Sequence, residues 1–306
     1  MKKENILTID IGASKIRLQA IDSKGESGFQ NTANLVGLEI NNASFLEFMT
    51  ELIRAFMDSN KDVVFKAISI GSPGPLNSSK GIIENPPNLK GINNLPIVEE
   101  LKRVFELPVF LLNDADAALL GEWWLGAGKE FKDIIYITLS TGVGSGILKN
   151  GELQNKLELG HRLLTIDEDE RTCNCNELNH AEAYLGTNGL SQTYAKIFEI
   201  NFDDLKPEDI YKVSFEMRDG IRNSDPKWLK VEKQYSEHLS EFLKDILDKY
   251  QPEIIILGGG IIYENNHLLG IIHEILKDSR VKIVLAKLKN PVNLGVAKYA
   301  LKQLRS

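Results

Sequence analysis

His161, Cys173, Cys175 and His180 follow the pattern H-x11-C-x-C-x4-H. Thiolate and imidazole at this density are the ligand set of tetrahedral Zn2+, and four such ligands would close a structural site. The spacing matches no standard finger, and a disulfide between Cys173 and Cys175 would be strained. Asn176 and Asn179 tolerate the left-handed backbone that a tight ligand knuckle needs. Glycine-rich turns offer a second chemistry, at Gly12–Lys15, Ser140–Gly146 and Gly258–Gly260. Backbone N–H groups can approach phosphate oxygens closely where no side chain intervenes. Each turn taken alone reads first as a tight hairpin or a bulge. Together, with hydroxyls at Ser14, Ser140 and Thr141, they favour a nucleoside triphosphate. The first two join strand to strand, so neither is a dinucleotide fingerprint, and no Walker-type Gly-Lys-Ser/Thr occurs.

Two aspartates stand where such chemistry needs a carboxylate. Asp10 ends an apolar segment beside the first turn and could hold Mg2+ through water, or simply satisfy turn amides. Asp114 follows the buried-type run Val109–Leu112 and precedes an alanine-rich helix, where open α/β sheets meet their ligands. A partly desolvated carboxylate there could take a proton from a substrate hydroxyl; it could equally be the N-cap of that helix.

The elements that must position these groups are legible in the periodicity. Ile16, Leu18 and Ala20 alternate with Arg17 and Gln19, so the chain opens as a β-hairpin around Gly12, with the next turn at Gly25 and Gly28. Phe45, Phe48, Met49, Leu52, Ile53 and Phe56 form one apolar stripe, a helix with Ser44 as its expected cap. A strand at Phe65–Ile70, an irregular proline-containing stretch at 82–96 and a short helix at Ile97–Glu106 follow. Ile134–Leu139 and Ile147-Leu148 then flank the second glycine turn and weakly echo the opening hairpin. Trp228 to Leu247 marks a long helix, Glu253–Leu257 a strand, and Leu294 to Leu304 a closing helix. Strand–helix alternation with glycines at strand ends gives an α/β fold. His238, His267 and His273, on or near helices, read as ordinary surface or core residues.

Composition narrows the class. The chain has 306 residues, and 36 Lys+Arg against 43 Asp+Glu give a net charge of −7. That length suits two domains, and the acidic balance leaves no electrostatic footprint for nucleic acid or an anionic membrane. Ile254–Ile262, the longest apolar stretch, is interrupted by three glycines, so no segment is expected to span a bilayer. Only two cysteines and no leader-like N-terminus lead to a cytoplasmic expectation.

Taken together, these motifs resemble the ROK family of sugar kinases and repressors, within the actin-like ATPase superfamily. The resemblance runs from Asp10 to the Gly295 region. Asp10-Ile11-Gly12-Ala13-Ser14-Lys15 and Thr141-Gly142-Val143-Gly144-Ser145-Gly146 are similar to its two phosphate motifs, and Leu257-Gly258-Gly259-Gly260 to its adenosine motif. Gly71-Ser72-Pro73-Gly74-Pro75 and Asn85-Pro86-Pro87-Asn88-Leu89 resemble its sugar-side loops, and Asn113-Asp114-Ala115 its catalytic motif. Glu158-Leu159-Gly160-His161, with the Cys173–Glu182 segment, resembles its sugar-and-zinc signature.

The resemblance implies a two-lobed actin-like α/β fold with MgATP and a hexose in the interlobe cleft. Residues 1–112 with 291–306 would form the small lobe and 113–290 the large one. It implies a glucokinase or N-acetylhexosamine kinase activity with Asp114 as general base on the 6-hydroxyl. The sugar would contact Gly71, Asn88, Asn113, Asp114, Glu158, His161 and Glu182. ATP would contact Asp10, Gly12, Ser14, Lys15, Thr141, Gly142, Gly258, Gly259 and Gly260. Structural Zn2+ would sit on His161, Cys173, Cys175 and His180, and a homodimer is the family habit. Departures are Ala13 and Ser14 for the usual Gly and Thr, His180 for a third cysteine, and Asn176 and Asn179 for knuckle glycines. The Gly151–Glu158 segment is shorter than the family's glycine-rich loop, which leaves the choice of sugar open. A repressor would need a winged-helix domain ahead of Asp10, and a silent sugar binder would not need Asp114, Glu158 and Glu182 together. A filament or chaperone ATPase would not need the zinc ligands.

Overall fold

The computed structural model describes residues 3–35, 37, 39–154, 158–166 and 169–305, with Lys3 described by its backbone alone. The chain divides into two compact units, Met1–Lys129 with Lys287–Ser306, and Glu130–Ala286. In the first, β1 (Lys3–Ile11), β2 (Lys15–Asp22), β3 (Ser27–Asn34), α1 (Asn42–Ser59) and β4 (Val63–Ser72) are followed by a two-residue pair, β5 (Leu76–Asn77) and β6 (Ile82–Ile83). Then come α2 (Ile97–Phe105), β7 (Val109–Asn113) and α3 (Asp114–Leu125). The second unit holds β8 (Ile134–Leu139), β9 (Val143–Lys149), β10 (Glu152–Leu153), α4 (Glu182–Leu185), α5 (Thr187–Phe198), α6 (Pro207–Arg222), α7 (Pro226–Tyr250), β11 (Ile254–Gly258), α8 (Gly260–Glu264), α9 (Leu268–Ile275) and β12 (Lys282–Leu285). The chain then returns to the first unit as α10 (Pro291–Gln303).

Each unit is built on one five-stranded sheet, in the orders β3-β2-β1-β4-β7 and β10-β9-β8-β11-β12. In both, a hairpin and its antiparallel neighbour fill one side and two parallel strands the other. The weak sequence echo between the halves is therefore a repeated sheet plan. β1 is apolar on both faces because both are covered. Leu7, Ile9 and Ile11 join Phe45, Met49 and Ile53 of α1 and Leu101 of α2, while Ile6 meets Ala297 and Ala300 of α10. Thr8, on the α10 side, hydrogen-bonds to the Gln19 carbonyl and accepts from Asn293 Nδ2. In the second unit the core joins Ile135, Ile137 and Leu139 to Tyr184, Tyr235, Leu239 and Phe242.

Two expectations are corrected. The N-cap of α1 is Asn41, whose side chain accepts from the N–H groups of Ala43 and Ser44; Ser44 closes the box by accepting from the Asn41 N–H. The expected lobe boundary at 112/113 moves to 129/130, because α3 packs on α10. A Cβ on Gly295 would overlap the Ala117 carbonyl, and one on Gly121 the Pro291 carbonyl, so only small residues let these helices meet. The buried Glu122 carboxylate fixes the chain's return to this unit. It accepts from Ala127 N at 2.7 Å, Lys287 N at 2.9 Å and Leu288 N at 2.8 Å. Among the described residues no helix is long and apolar enough to cross a membrane.

His238 on α7 is 3% exposed and packs edge-on to Tyr184, so it is a core residue as expected. Burial, reinforced by the charge of Arg171, pushes its pKa down to about 4. An unfolded chain takes up that proton near pH 6.5, so His238 removes stability as pH falls from about 6.5 to about 4. The loss is on the order of 3 kcal/mol for a depression of this size. His238→Phe should flatten this part of the acid limb when urea midpoints are compared across that window. An unchanged slope would show that His238 does not titrate there.

Candidate active site and metal knuckle

In the first unit the β1–β2 turn is closed by the Gly12 N–H on the Lys15 carbonyl at 2.9 Å, and the Ser14 carbonyl accepts from Leu35 N at 2.8 Å. This leaves Ala13, Ser14 and Lys15 exposed around a pinned backbone. Asp10 ends β1 directly before the turn. Its carboxylate receives Arg17 Nη1 at 2.9 Å, across the hairpin where the two residues face each other in register. Burial raises the Asp10 pKa and the Arg17 charge opposes that rise. The guanidinium, rather than turn amides, is its partner. Gly71 is the parallel neighbour of Asp10 on β4, and its missing side chain makes room for Val292 of α10. Asn88 is exposed in the turn closed by Leu89 N on the Pro86 carbonyl.

The two readings of Asp114 are separated by its neighbour. Asn113 is the N-cap of α3, its Oδ1 accepting from Ala115 N at 2.9 Å and Asp116 N at 3.4 Å. Asp114 is the first helical residue, half-buried, with Oδ1 on the Ala115 N–H at 2.8 Å. The cap is therefore supplied without Asp114, whose carboxylate sits at the positive end of a 12-residue helix that favours an anion.

In the second unit the β8–β9 turn is organised by a carboxylate from another element. Glu182, at the start of α4, accepts from Val143 N at 3.0 Å, and a Cβ on Gly142 would overlap this carboxylate. Thr187 at the start of α5 donates its N–H at 2.9 Å and its hydroxyl at 2.8 Å to the Ser140 carbonyl. Thr141 is left exposed at the tip. Glu182 reaches back as well, with Cys173 Sγ 3.7 Å from its Oε1. A cavity of about 200 Å3 opens here, lined by Thr141, Thr172, Asn174, Glu182, Asn188 and Gln192 among others. Two larger cavities lie along α7, where His238 is among the lining residues, and between α7 and α9; neither is lined by a residue assigned above to sugar, ATP or metal.

The His/Cys cluster assembles. A 3-10 turn, Leu159–His161, is hung on β9 by Leu159 N donating to Ser145 Oγ, and the segment after it pairs with the chain around His180. This stacks the His161 and His180 rings, 4.9 Å apart and 17° from parallel. The Cys173–Leu178 loop is closed by Cys173 N on Glu177 O and Asn176 N on Cys173 O. Asn176 (φ 69°) and Asn179 (φ 57°) adopt the left-handed conformation expected of them. Cys175 Sγ lies 3.1 Å from His180 Nδ1, and the four donor atoms lie within 4.8 Å of one another. Bond lengths of about 2.0–2.3 Å put tetrahedral zinc ligands roughly 3.3–3.8 Å apart, so small side-chain adjustments would complete the shell. Burial pushes the Cys173 thiol up to about 12, a group that becomes a thiolate readily only beside a cation. Donor type, number and spacing thus fit structural zinc.

The remaining candidates divide. Glu158 is exposed, its carbonyl accepting from His161 N. Within the Gly151–Glu158 segment, whose shortness is expected to leave the choice of sugar open, Asn155–Leu157 lie outside the described residues. Gly258 and Gly259 have packing reasons of their own. A Cβ would overlap the Tyr136 hydroxyl at the first and the Leu139 backbone at the second, where φ is +94°. Gly260 is exposed with open space at its Cβ position. Sequence reasoning missed Arg171, a 4%-exposed cation behind the knuckle; its only signal was a lone arginine closing the acidic run Asp167–Glu170.

Fold and site together define a two-unit protein of the actin-like ATPase fold, with glycine turns at strand ends and a His/Cys knuckle. The ROK family profile matches residues 6–300, and the chain belongs to the ROK family. It is similar to a glucokinase of Pyrobaculum calidifontis, 34% identical over 211 residues, 67% of each chain. It is also similar to a xylose repressor of Caldicellulosiruptor bescii, 25% identical over 94% of this chain and 75% of that one. Among solved structures, a ROK hexokinase from Thermus thermophilus superposes with a TM-score of 0.82 at 24% identity, covering 98% of this chain and 99% of that one.

The purified chain should carry one zinc ion, lost from Cys173→Ala, when metal content is measured after dialysis. Full retention of zinc by that variant would remove Cys173 from the ligand set.

Proposed function

We propose that the chain is an ATP-dependent hexose kinase, transferring the γ-phosphoryl group of MgATP to the 6-hydroxyl of a hexose, with glucose as first choice. N-acetylmannosamine or N-acetylglucosamine is the alternative acceptor. The observation that carries this reading is the division of labour at the start of α3: Asn113 supplies the cap, and Asp114 is not needed for it. Asp114 accepts the proton of the 6-hydroxyl as that oxygen bonds to the γ-phosphorus; the bond from phosphorus to the β–γ bridging oxygen breaks and ADP leaves. Such transfer depends on positioning and charge neutralisation more than on covalent chemistry.

The first unit contributes the base, with Asn113, Asn88 and the Gly71 backbone beside the sugar. It also contributes Gly12, Ser14 and Lys15 to the phosphates. Asp10 would hold Mg2+ through water, and the ion would neutralise phosphate charge. The second unit contributes Thr141 and Gly142 to the phosphates and Gly258–Gly260 to the adenosine. Glu158, His161 and Glu182 are its hydroxyl-holding groups. His161, Cys173, Cys175 and His180 would hold zinc as a cross-link that fixes His161 and Glu182, not as a Lewis acid. A cytoplasmic homodimer belongs to the same reading.

Asp114→Asn tests it. Turnover should fall by roughly 10²–10⁴-fold, the usual worth of a general base, while sugar affinity by calorimetry stays near wild type. Turnover that survives the change would exclude Asp114 as base. The similarity to a xylose repressor supports a second reading, a sugar-responsive regulator. In that case the wild-type chain binds sugar and releases no ADP.

A further inference from the structure

Behind the knuckle lies a buried polar network that no step above uses. Arg171 donates Nη2 to Asp169 Oδ2 at 2.8 Å and to Thr193 Oγ1 at 3.0 Å, and Nη1 to the Gly189 carbonyl at 2.7 Å. Its guanidinium lies over the Tyr184 ring, 4.9 Å from the centroid. The Tyr184 hydroxyl lies 2.6 Å from the Asp169 carbonyl and 2.7 Å from Asn179 Oδ1, its single proton shared between these two acceptors. The same Asn179 oxygen accepts the Arg171 N–H at 3.0 Å, and the Asn179 N–H returns to the Arg171 carbonyl at 2.8 Å. These bonds converge on one residue, held at φ 57°, directly before His180.

Asparagine accepts the left-handed backbone without requiring it, and here the Arg171 N–H and the Tyr184 hydroxyl grip its side chain and so fix that choice. The conformation of Asn179 sets the direction of the chain into His180 and, two residues further, into Glu182. We infer that Tyr184 and the Arg171 backbone, acting through Asn179 Oδ1, are positioning groups that aim His180 at the knuckle's metal before the metal binds. The inference rests on the zinc reading of the His/Cys cluster and needs neither ATP nor sugar. Its physical content is preorganisation: without the grip, the His180 segment samples other directions and metal capture must order it.

Zinc affinity, read by competition with a chromophoric chelator in the absence of nucleotide and sugar, tests this. Tyr184→Phe removes one donor to Asn179 and keeps the ring that packs in the core. Asn179→Gly keeps the left-handed backbone and removes the acceptor; Asn179→Asp keeps both. Tyr184→Phe and Asn179→Gly should each weaken zinc binding about tenfold or more, as outer groups of metal sites commonly do, and Asn179→Asp should hold near wild type. Far-UV circular dichroism and a cooperative melt establish that each variant is folded. Wild-type zinc affinity in folded Tyr184→Phe and Asn179→Gly overturns the inference alone. A wild-type chain that holds no zinc overturns both the metal reading and this inference. Wild-type zinc binding with sugar-independent ATPase activity would instead overturn the kinase reading and leave the inference standing.

Discussion

The second unit turns on one carboxylate. Glu182 occupies the space that a side chain on Gly142 would fill and takes the Val143 N–H, so the shape of the β8–β9 turn and the position of α4 are set together. A hydrogen bond to a charged acceptor is worth about 1.5–3 kcal/mol, and here it adds to the turn's own bond from Ser140 N to the Gly142 carbonyl. The Thr187–Ser140 bonds lock the same junction from α5. With Cys173 Sγ close to its other oxygen, Glu182 is the point through which the glycine turn and the His/Cys knuckle share one geometry.

The repeated sheet plan makes the contrast between the two hairpins informative. The first turn has its carboxylate in its own strand, Asp10, balanced by Arg17 across the ladder. The second has no acid in β8 or the turn and draws one from a helix about forty residues on, Glu182. An acid within the strand lies fixed under the turn. An acid brought by a helix is as well placed as the helix, and the helix start is only as well placed as the knuckle before it. That dependence explains why a buried network around Arg171 and Tyr184 stands behind a loop that is itself largely exposed.

Much of this was legible because it is written in periodicity or in residue type. The hairpins, the apolar stripes of α1 and α7 and the parallel strands follow from spacing, and the left-handed asparagines from the few residue types that accept that conformation. The allegiance of α3 was not legible. A helix apolar nearly all round names no partner, and its fit to α10 depends on the absence of side chains at Gly121 and Gly295. The α1 cap shifted from Ser44 to Asn41 because a reciprocal box places a capping residue at both of its ends. The glycines at 258 and 259 looked like phosphate ligands by type, whereas close contacts with Tyr136 and Leu139 give each a structural reason first. Glu122 acts through backbone N–H groups, two of them far along the chain, and leaves no local pattern; Arg171 shows locally only as the arginine that closes an acidic run, while its bonds to Gly189 and Thr193 are distant in sequence.

Sugar-dependent phosphoryl transfer is the central claim. The direct measurement is ADP release from MgATP by the zinc-loaded chain, with and without each member of a panel of hexoses and N-acetylhexosamines. One sugar, glucose first, should raise ADP release far above the sugar-free rate and yield the 6-phosphate in equal amount. A rate that no sugar changes, with sugar binding intact, would contradict the kinase and make the chain a sugar-binding regulator.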